Sequence, residues 1–338
     1  MKLLNDHSLQ ELNTFKINVK AKYFAEIVSV QELLELLADN NFKNQKKFVL
    51  GSGSNILFTK NFNGLVIKNS IPGIKVIEEN NESVLIEAGA GVNWDDLVQF
   101  CVDKNYGGLE NLSFIPGTAG AAPIQNIGAY GQELSETFRS LEALSISSSE
   151  LKTFEKNDCS FAYRSSIFKE ELKNEFIITS VKLKLDKNPA VKTVYGEIRQ
   201  YLEDAKISKP TIADVRKIII QIRKSKLPDP LAIGNAGSFF KNPIVDNKRF
   251  EIIKAEYNDI IAFKVDENSD KIAAGWLIEK CGWKGKRVGS VGTYPKHSLI
   301  IVNHDFATGA EVLEFAMRIK EEVESKFGII LEEEVNII

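Results

Sequence analysis

Hydrophobic positions recur at helical spacing in four segments of the chain, which lie at residues 30–41, 93–105, 211–226 and 308–328. An apolar residue every three or four positions is typical of a helix with one buried face. The last two segments begin with a threonine followed three positions later by an acidic residue, Thr211 with Asp214 and Thr308 with Glu311. This spacing is that of a capping box. The pattern therefore predicts four amphipathic helices, the last two of which have defined starts.

Short apolar or alternating segments lie between these helices and predict β-strands. They occur at residues 46–50 and 56–58, three times within 61–90, and at 137–147, 176–185 and 329–338. Residues 20–60 read as strand, helix, strand, and a second unit begins near residue 190. Helices and strands in this mixture predict an α+β protein.

The composition excludes several classes of protein. The 338 residues are 43% hydrophobic and 26% charged, with a net charge of −3, so a broad nucleic-acid-binding surface is not expected. No apolar run reaches eighteen residues, which predicts no membrane span. Three cysteines without a CxxC pair and three separated histidines give no zinc or disulfide framework, and a reducing cytosol fits. The N-terminus shows no signal peptide.

The segment GSGSN at residues 51–55 resembles the start of a dinucleotide fingerprint but fails its test. A GxGxxG motif needs glycine at position 56, where the chain has Ile56, and a helix should follow instead of a strand. Gly51 and Gly53 permit positive φ, so the backbone N–H groups of this turn could converge on an anion. A plain hairpin turn is the alternative.

A longer glycine-rich segment, residues 111–132, contains no charged residue. Backbone donors can neutralise a phosphate without cationic side chains, and small residues allow a flat ligand to approach. Thr118, Gln125 and Asn126 add neutral polar groups. The alternative is a tightly packed buried connection, which must also satisfy its backbone polar groups. Two such segments together favour a dinucleotide ligand.

A third small-residue segment, AIGNAGSFFKNP at 232–243, contains a single hydroxyl, that of Ser238. Glycines suit a turn, but a turn does not require this serine or the two phenylalanines that follow it. The pattern indicates a functional serine, with a hydrogen-bonding turn residue as the alternative.

Seven motifs in order along most of the chain carry a family resemblance. They are GSGSNILF, PGTAGAAPIQNIGAYGQEL, CSFAYRSSIFK, KLPDP, GNAGSFFKNP, AAGWLIEKCGWKG and the terminal LEEEV. Together they closely resemble the UDP-N-acetylenolpyruvoylglucosamine reductase family. The resemblance implies an α+β chain with a vanillyl-alcohol-oxidase-type FAD-binding region at 1–190, in two subdomains of about 1–65 and 66–190. It further implies a linker with a substrate loop at 191–208, a substrate-binding domain at 209–325, and a C-terminal strand at 326–338 that returns to the active site.

The resemblance also implies the chemistry: NADPH reduces a non-covalent FAD, and the reduced flavin reduces UDP-N-acetylglucosamine enolpyruvate to UDP-N-acetylmuramate in peptidoglycan synthesis. Ser238 matches the family's proton donor, Arg164 the arginine on the substrate carboxylate, and Glu334 the catalytic glutamate. The family usually has proline where this chain has Glu333. On a strand, Glu332 and Glu334 would share a face and Glu333 would point away. A solvated acidic cluster is the alternative.

Further residues take binding roles through the same resemblance. The substrate-binding set is Tyr195, on an extra loop over the substrate, with Arg223, Lys226, Asn242 and His297. The expected FAD contacts are Gly51, Ser52, Gly53, Ser54, Asn55, Ile56, Pro116, Gly117, Thr118, Gly120, Ala121, Gln125, Asn126, Gly128 and Ala129. Without the resemblance, Arg223 and Lys226 would be interpreted as charges that complement the dipole at a helix C-terminus, and His297 would be interpreted as a structural residue.

Two other functions stay open at this point. One is an oxygen-using flavin oxidase on the same cofactor fold, which the absence of histidine from both glycine-rich segments disfavours. The other is a non-catalytic sugar-nucleotide binder, which the joint presence of Arg164, Ser238 and Glu334 disfavours. We expect a cytoplasmic monomer with no nucleic-acid or membrane partner.

Overall fold

A computed structural model describes residues 1–338, and the chain forms two compact units. Unit 1 comprises Met1–His7, Ala21–Ser52 and Phe62–Ser225, and unit 2 comprises Ser8–Lys20, Gly53–Asn61 and Lys226–Ile338. The expected domain boundary at 208/209 therefore differs from this division, which falls after Ser225. The sequence pattern also gives no hint that two N-terminal segments join the C-terminal unit.

Eight α-helices form, and they include a helix in each of the four segments that the apolar spacing predicts. They are α1 (Val30–Ala38), α2 (Asn40–Lys43), α3 (Trp94–Asp103), α4 (Gly196–Asp204), α5 (Ile212–Lys226), α6 (Asn247–Glu256), α7 (Ala274–Lys280) and α8 (Gly309–Phe327). The capping box of α8 is confirmed, since the Thr308 hydroxyl accepts from the Glu311 N–H and the Glu311 carboxylate from the Thr308 N–H. The predicted helix at 30–41 is interrupted, because Asp39 leaves the helical conformation and its side chain caps α2.

Twenty strands complete the secondary structure. They are β1 (Lys2–Ser8), β2 (Lys20–Ile27), β3 (Lys47–Leu50), β4 (Ile56–Leu57), β5 (Phe62–Asn69), β6 (Ile74–Glu79), β7 (Ser83–Gly89), β8 (Gly128–Ala129), β9 (Gln132–Glu133), β10 (Phe138–Ser145), β11 (Leu151–Glu155), β12 (Phe176–Asp186), β13 (Gly234–Ser238), β14 (Ile244–Asp246), β15 (Ala262–Lys264), β16 (Ser269–Ile272), β17 (Arg287–Val288), β18 (Val291–Tyr294), β19 (His297–Asn303) and β20 (Asn336–Ile337).

Unit 1 is built on two sheets. The first has the order β1-β2-β5-β3, with β5 parallel to both β2 and β3, and the second is the antiparallel sheet β11-β10-β12-β7-β6. Leu33 and Leu36 of α1 belong to the core that covers the first sheet. Trp94 and Leu97 of α3 belong to the core of the second. The hydrophobic faces of the predicted helices thus meet the sheets, as in an α+β fold.

Unit 2 combines the sheet β13-β19-β18-β17, the small sheet β14-β16-β15 and the parallel pair β20-β4. The two N-terminal segments join it through backbone and amide hydrogen bonds. The Asn235 N–H donates to the Thr14 carbonyl at 3.0 Å, and Asn303 Nδ2 donates to the Phe15 carbonyl at 2.9 Å. These long-range bonds join residues 8–20 to the C-terminal half, and the parallel pairing of β4 with β20 does the same for residues 53–61.

The predicted C-terminal strand is largely wrong. Alternating burial holds from Ile329 to Glu332, but regular strand is limited to Asn336–Ile337. The three consecutive glutamates cannot alternate between a buried and a solvated face, and the next buried residue after Leu331 is Val335. No helix of the chain is both long enough and apolar enough to cross a membrane.

Candidate active site

The turn at 51–55 lies between β3 and β4, so the predicted strand–turn–strand arrangement is confirmed. Gly53 has a φ of +69°, and a Cβ on it would lie 2.0 Å from the Leu12 carbonyl oxygen. Gly51 is not among the positive-φ glycines, but a Cβ there would lie 2.9 Å from Thr118 Oγ1. Only Gly53 therefore uses the left-handed freedom of glycine, whereas Gly51 is small so that another segment can approach.

That approach brings the two glycine-rich segments of unit 1 into contact. Gly51 lies against Thr118, and Gly120 lies against Ala90, where an added Cβ would come within 2.5 Å of the Ala90 Cβ. The backbone N–H groups of Ala121 and Ala122 both donate to the Thr118 carbonyl, which closes a tight turn. An uncharged surface of main chain results, which is the surface expected for a dinucleotide.

Lys68 supports this turn from β5, since its Nζ donates to the Gly51 carbonyl. Burial lowers the pKa of the Lys68 ammonium, and Glu26 opposes that shift. The sequence reasoning missed this residue. Its only signal is a lysine inside the otherwise apolar strand segment GLVIKN.

Arg164 is held against the end of the uncharged segment. Its Nη2 donates to the Gly128 carbonyl at 2.7 Å, and its guanidinium lies 5.6 Å from the Tyr163 ring centroid. Its backbone has a φ of +54°, a left-handed conformation that is uncommon outside glycine and that costs free energy. A strained position next to the expected cofactor segment is typical of a functional residue rather than of a surface arginine.

Asn126 was expected to contact the cofactor, but its side chain is committed within the protein. It is 1% exposed, and its Nδ2 donates to Glu133 Oε2 at 2.8 Å and to the Ala162 carbonyl at 3.2 Å. Its Oδ1 accepts from the Ser135 N–H at 3.0 Å. Its side chain therefore fixes the loop that carries Arg164 to the glycine-rich segment.

Ser238 is the last residue of β13, next to a β-bulge. The register between β13 and β19 shifts between Asn235 and Ser238, and Gly237 there has a φ of +71°. A Cβ on Gly237 would meet no atom within 4 Å, so the backbone beside Ser238 is open. A bulge re-aims the side chain next to it. The two following residues, Phe239 and Phe240, are 0% and 1% exposed and form the core beneath the serine.

Glu334 is held beside this strand end by its backbone. Its N–H donates to the Phe239 carbonyl at 2.8 Å, and its carbonyl accepts from Asn55 Nδ2 at 3.2 Å. Asn336, two residues on, donates its N–H to the Asn55 carbonyl at 3.0 Å. Unit 2 thus brings together Ser238, Glu334 and Asn55, although Asn55 and Glu334 lie 279 positions apart.

The three consecutive glutamates have different environments. Glu332 is exposed and pairs with Lys241 at 3.0 Å, whereas Glu333 is half-buried and pairs with Lys320 Nζ at 2.7 Å. Phe240 and Glu333 form an isolated antiparallel β-bridge. Its two hydrogen bonds run from the Lys241 N–H to the Glu332 carbonyl and from the Glu334 N–H to the Phe239 carbonyl. A proline at 333 would leave both of these hydrogen bonds intact, so its absence here does not disturb the bridge.

The predicted substrate-binding residues divide between the two units. In unit 1, Arg223 donates from Nε to the Phe114 carbonyl at 3.0 Å and also bonds the Tyr130 hydroxyl. Burial raises the pKa of the Tyr130 phenol, and Arg223 opposes that shift. The Tyr195 ring meets the Tyr130 ring edge to face, with centroids 5.4 Å apart. Arg223 therefore supports Tyr130 and a backbone carbonyl, in addition to any phosphate.

In unit 2, Asn242 Oδ1 accepts from the Ala274 N–H at 2.9 Å, at the start of α7. His297 is the first residue of β19, and Lys226 ends α5; both are half-buried.

The sequence reasoning missed Tyr130, for which the signal is a tyrosine between Gly128 and Gly131.

The remaining expected FAD contacts vary in exposure. Pro116 and Ala121 are exposed, and Ile56, Gly53 and Thr118 are buried. The half-buried ones are Ser52, Ser54, Asn55, Gly117, Gly120, Gln125, Gly128 and Ala129. The side chain of Ile56 thus belongs to the core, so any ligand contact at this position would come from its main chain.

Two family models match the chain. A "UDP-N-acetylenolpyruvoylglucosamine reductase, C-terminal domain" model matches residues 229–338, and an "FAD binding domain" model matches residues 21–153. The second range contains both glycine-rich segments. The close contact of Gly51 with Thr118 and the uncharged main chain around it fit FAD as the bound group.

Named relatives match over the full length. A UDP-N-acetylenolpyruvoylglucosamine reductase of Flavobacterium johnsoniae is 47% identical over 100% of both chains. The enzyme of that name from Pseudomonas aeruginosa is 44% identical over 99% of this chain and 98% of its own.

Two solved structures resemble the fold. UDP-N-acetylenolpyruvylglucosamine reductase from Thermus caldophilus has a TM-score of 0.67 at 23% identity, covering 99% of this chain and 98% of that one. The 4-ethylphenol oxidase from Gulosibacter chungangensis has a TM-score of 0.51 at 11% identity, covering 97% of this chain and 84% of that one. Both agree with the predicted α+β fold. The chain belongs to the UDP-N-acetylenolpyruvoylglucosamine reductase family, as the full-length identity to its named relatives establishes.

Proposed function

We propose that this chain reduces UDP-N-acetylglucosamine enolpyruvate to UDP-N-acetylmuramate with NADPH as reductant, as a step of peptidoglycan synthesis. The proposal depends most on one observation in unit 2, where the Glu334 backbone is bonded both to Asn55 and to the residue after Ser238. A residue of the glycine turn, the serine and the glutamate are thereby joined. Full-length identity to named reductases supports the same reaction.

The residues that would hold FAD are those of the two glycine-rich segments, at 51–56 and 116–129. FAD, when bound, supplies two-electron transfer between NADPH and the enolpyruvyl double bond. The chain contributes the close packing of Gly51 against the Thr118 side chain and the half-buried Lys68, whose ammonium bonds the Gly51 carbonyl behind the turn. Such a preorganised surface binds a flat, charged ligand without the cost of ordering long side chains.

Ser238 delivers the proton that the reduced double bond requires, from its Oγ to the carbon next to the carboxylate. A serine hydroxyl is a weak acid, so its surroundings must favour the transfer. The bulge at Gly237 leaves space for the substrate, and the buried rings of Phe239 and Phe240 keep water away from one side. Glu334, adjacent through the backbone, hydrogen-bonds the substrate carboxyl region or holds a water there.

Arg164 binds the substrate carboxylate and stabilises the negative charge that develops during reduction. A guanidinium can make two parallel hydrogen bonds to a carboxylate, and its bond to the Gly128 carbonyl fixes its orientation. Tyr195, Lys226, Asn242 and His297 bind the sugar nucleotide. Arg223, with a bond to Tyr130 and one to Phe114, acts first as a support for that binding surface.

An anaerobic titration of the purified holoenzyme tests the reaction. We expect NADPH to bleach the flavin absorbance and the enolpyruvyl sugar nucleotide to restore it, with one equivalent of product formed. Substrate binding without reoxidation would contradict the proposal and favour a non-catalytic binder. Rapid oxygen consumption with an alcohol, and no response to the sugar nucleotide, would favour an oxidase.

The cytoplasmic location and the monomeric state predicted from the sequence stay predictions.

A further inference from the structure

Asn111 occupies a position that none of the roles above explains. It lies in the short 3₁₀ helix Glu110–Leu112, and its side chain is 1% exposed. Its Nδ2 donates two hydrogen bonds, to the Tyr130 carbonyl at 2.9 Å and to the Lys192 carbonyl at 3.1 Å. One buried amide therefore joins the backbone of two segments that are 62 positions apart, a separation given by 192 minus 130.

Each of these two segments carries an aromatic side chain, and the two rings meet. Tyr130 lies between β8 and β9 with a φ of +49°, and its ring lies edge to face with that of Tyr195 at an angle of 79°. Tyr195 is the residue before α4 and is 42% exposed. Val194 beside it is 83% exposed, so few contacts within its own segment hold this tyrosine in place.

A second contact holds the same segment but is expected to be weak. Lys192 Nζ pairs with Glu136, and both side chains are about two-fifths exposed, at 42% and 41%. Exposed ion pairs contribute little to stability because water and salt screen them. Removal of a buried donor, by contrast, leaves its acceptors without a partner and away from water, which is costly. The Asn111 amide is therefore the buried polar attachment of residues 191–195, in addition to the packing of Val191 against the neighbouring cores.

We propose that Asn111 is a positioning residue that holds Tyr195 against Tyr130 and thereby sets the affinity for the sugar nucleotide. The inference rests on the proposed function, in which Tyr195 contacts the substrate. Asn111 itself touches neither substrate nor cofactor in this account. We therefore expect substitution of Asn111 to change the KM for the sugar nucleotide and to leave the rate of flavin reduction by NADPH unchanged.

The first test measures the attachment without any substrate. The bond after Tyr195 lies at the start of α4, and a protease needs several extended residues on each side of its cut, so chymotrypsin cleaves there only when the segment opens. The rate of cleavage at this bond, followed by mass spectrometry of the fragment that ends at Tyr195, therefore follows the population of the detached form. We expect Asn111→Ala to speed this cleavage roughly ten-fold or more, since two buried hydrogen bonds are lost. The matched control, Lys192→Gln, removes only the exposed ion pair and should change the rate less than about three-fold. Equal rates in Asn111→Ala and wild type would overturn the attachment.

The second test is a double-mutant cycle on steady-state kinetics. We expect Asn111→Ala to raise KM for the sugar nucleotide roughly ten-fold, with the rate of flavin reduction by NADPH unchanged, and to have no further effect on KM in a Tyr195→Ala background. If the double variant instead shows a KM increase equal to the product of the two single increases, the inference is overturned, because Asn111 would then act on binding without Tyr195. An unchanged KM in Tyr195→Ala would instead contradict the proposed role of Tyr195, while the chymotrypsin result would still decide whether Asn111 holds the segment.

Discussion

Arg164 and Ser238 are held in place by different means. Arg164 lies in a loop with a left-handed backbone, and side-chain hydrogen bonds to Gly128 and from Asn126 to Ala162 fix that loop. Ser238 ends a strand just after a bulge. Its backbone pairs with Ile300 on one side, and on the other side the Phe239 carbonyl accepts from the Glu334 N–H, so main-chain contacts fix its position. The core phenylalanines follow immediately after it.

Arg164 and Ser238 thus represent two ways to position a functional group, one in a strained loop and one at a strand end. A strained loop position depends on a few specific side chains, so single substitutions around it should disturb the geometry. A strand end depends on main-chain hydrogen bonds and a hydrophobic core, so it should tolerate changes of neighbouring side chains. Both arrangements place a polar group with little freedom of movement, which is the requirement for preorganised catalysis.

The largest expected effect is at the strand end itself. We expect Ser238→Ala to slow reoxidation of the reduced flavin by the enolpyruvyl substrate about 10³-fold, because the proton donor is lost. Reduction of the flavin by NADPH should be unchanged, since that half-reaction does not use the hydroxyl. Stopped-flow absorbance measures both half-reactions. Ser290→Ala, at another half-buried serine of unit 2, is the control and should behave as wild type.

A substitution at the loop residue should have the next largest effect. Arg164→Lys keeps the charge but cannot make two parallel hydrogen bonds to a carboxylate, so we expect kcat/KM to fall roughly 30- to 100-fold. The exposed Arg139→Lys serves as the control. A separate experiment tests the backbone strain. The free energy of unfolding in urea should be larger for Arg164→Gly than for Arg164→Ala, because glycine adopts a φ of +54° at lower cost. Equal stability of the two variants would contradict a strained loop.

A smaller effect should appear at alkaline pH. Burial raises the pKa of Tyr130 above its ordinary value of 10.0, so the folded state keeps the phenol neutral where the unfolded state ionises it. The stability that this gives is fully present below pH 10 and is lost as the pH rises through the raised pKa. We expect the free energy of unfolding to fall less between pH 9 and pH 11 in Tyr130→Phe than in wild type. Parallel curves from urea titrations would contradict the burial of this phenol.

The smallest effect is expected from a change beside the strand-held glutamate. Glu333→Pro leaves the hydrogen bonds of Lys241 and Glu334 in place, so we expect kcat and KM within about three-fold of wild type. The lost Lys320 pair is partly exposed and should cost only about 1 kcal/mol or less. A large loss of activity would show that the backbone there depends on residue 333 after all.

The parts of the fold with strong local patterns could be predicted from the sequence. The helices α1, α3, α5 and α8 follow apolar spacing, and the cap of α8 follows from Thr308 and Glu311. The C-terminal strand could not be predicted well, because pairing of Glu333 with Phe240 and of Asn336 with Ile56 depends on partners far along the chain. For the same reason no local pattern indicated that residues 8–20 join the C-terminal unit.

The candidate site shows the same limit. Motif order indicated Ser238, Arg164 and Glu334, and the bulge and the strained φ now give two of them a physical setting. The supporting residues Lys68 and Asn111 were not predictable, because a lone lysine in a strand and an asparagine in a turn have many ordinary uses. Their importance lies in which distant carbonyls they reach.

The central claim is that Arg164 and Ser238, held by such different means, act on one chemical step. The most direct measurement is the rate of flavin reoxidation by the enolpyruvyl substrate in Arg164→Ala, Ser238→Ala and the double variant. We expect strong non-additivity, with the double variant little slower than the slower single variant, because residues that act as a unit lose their joint contribution once either is removed. Rates that fall by the product of the two single effects would contradict the claim.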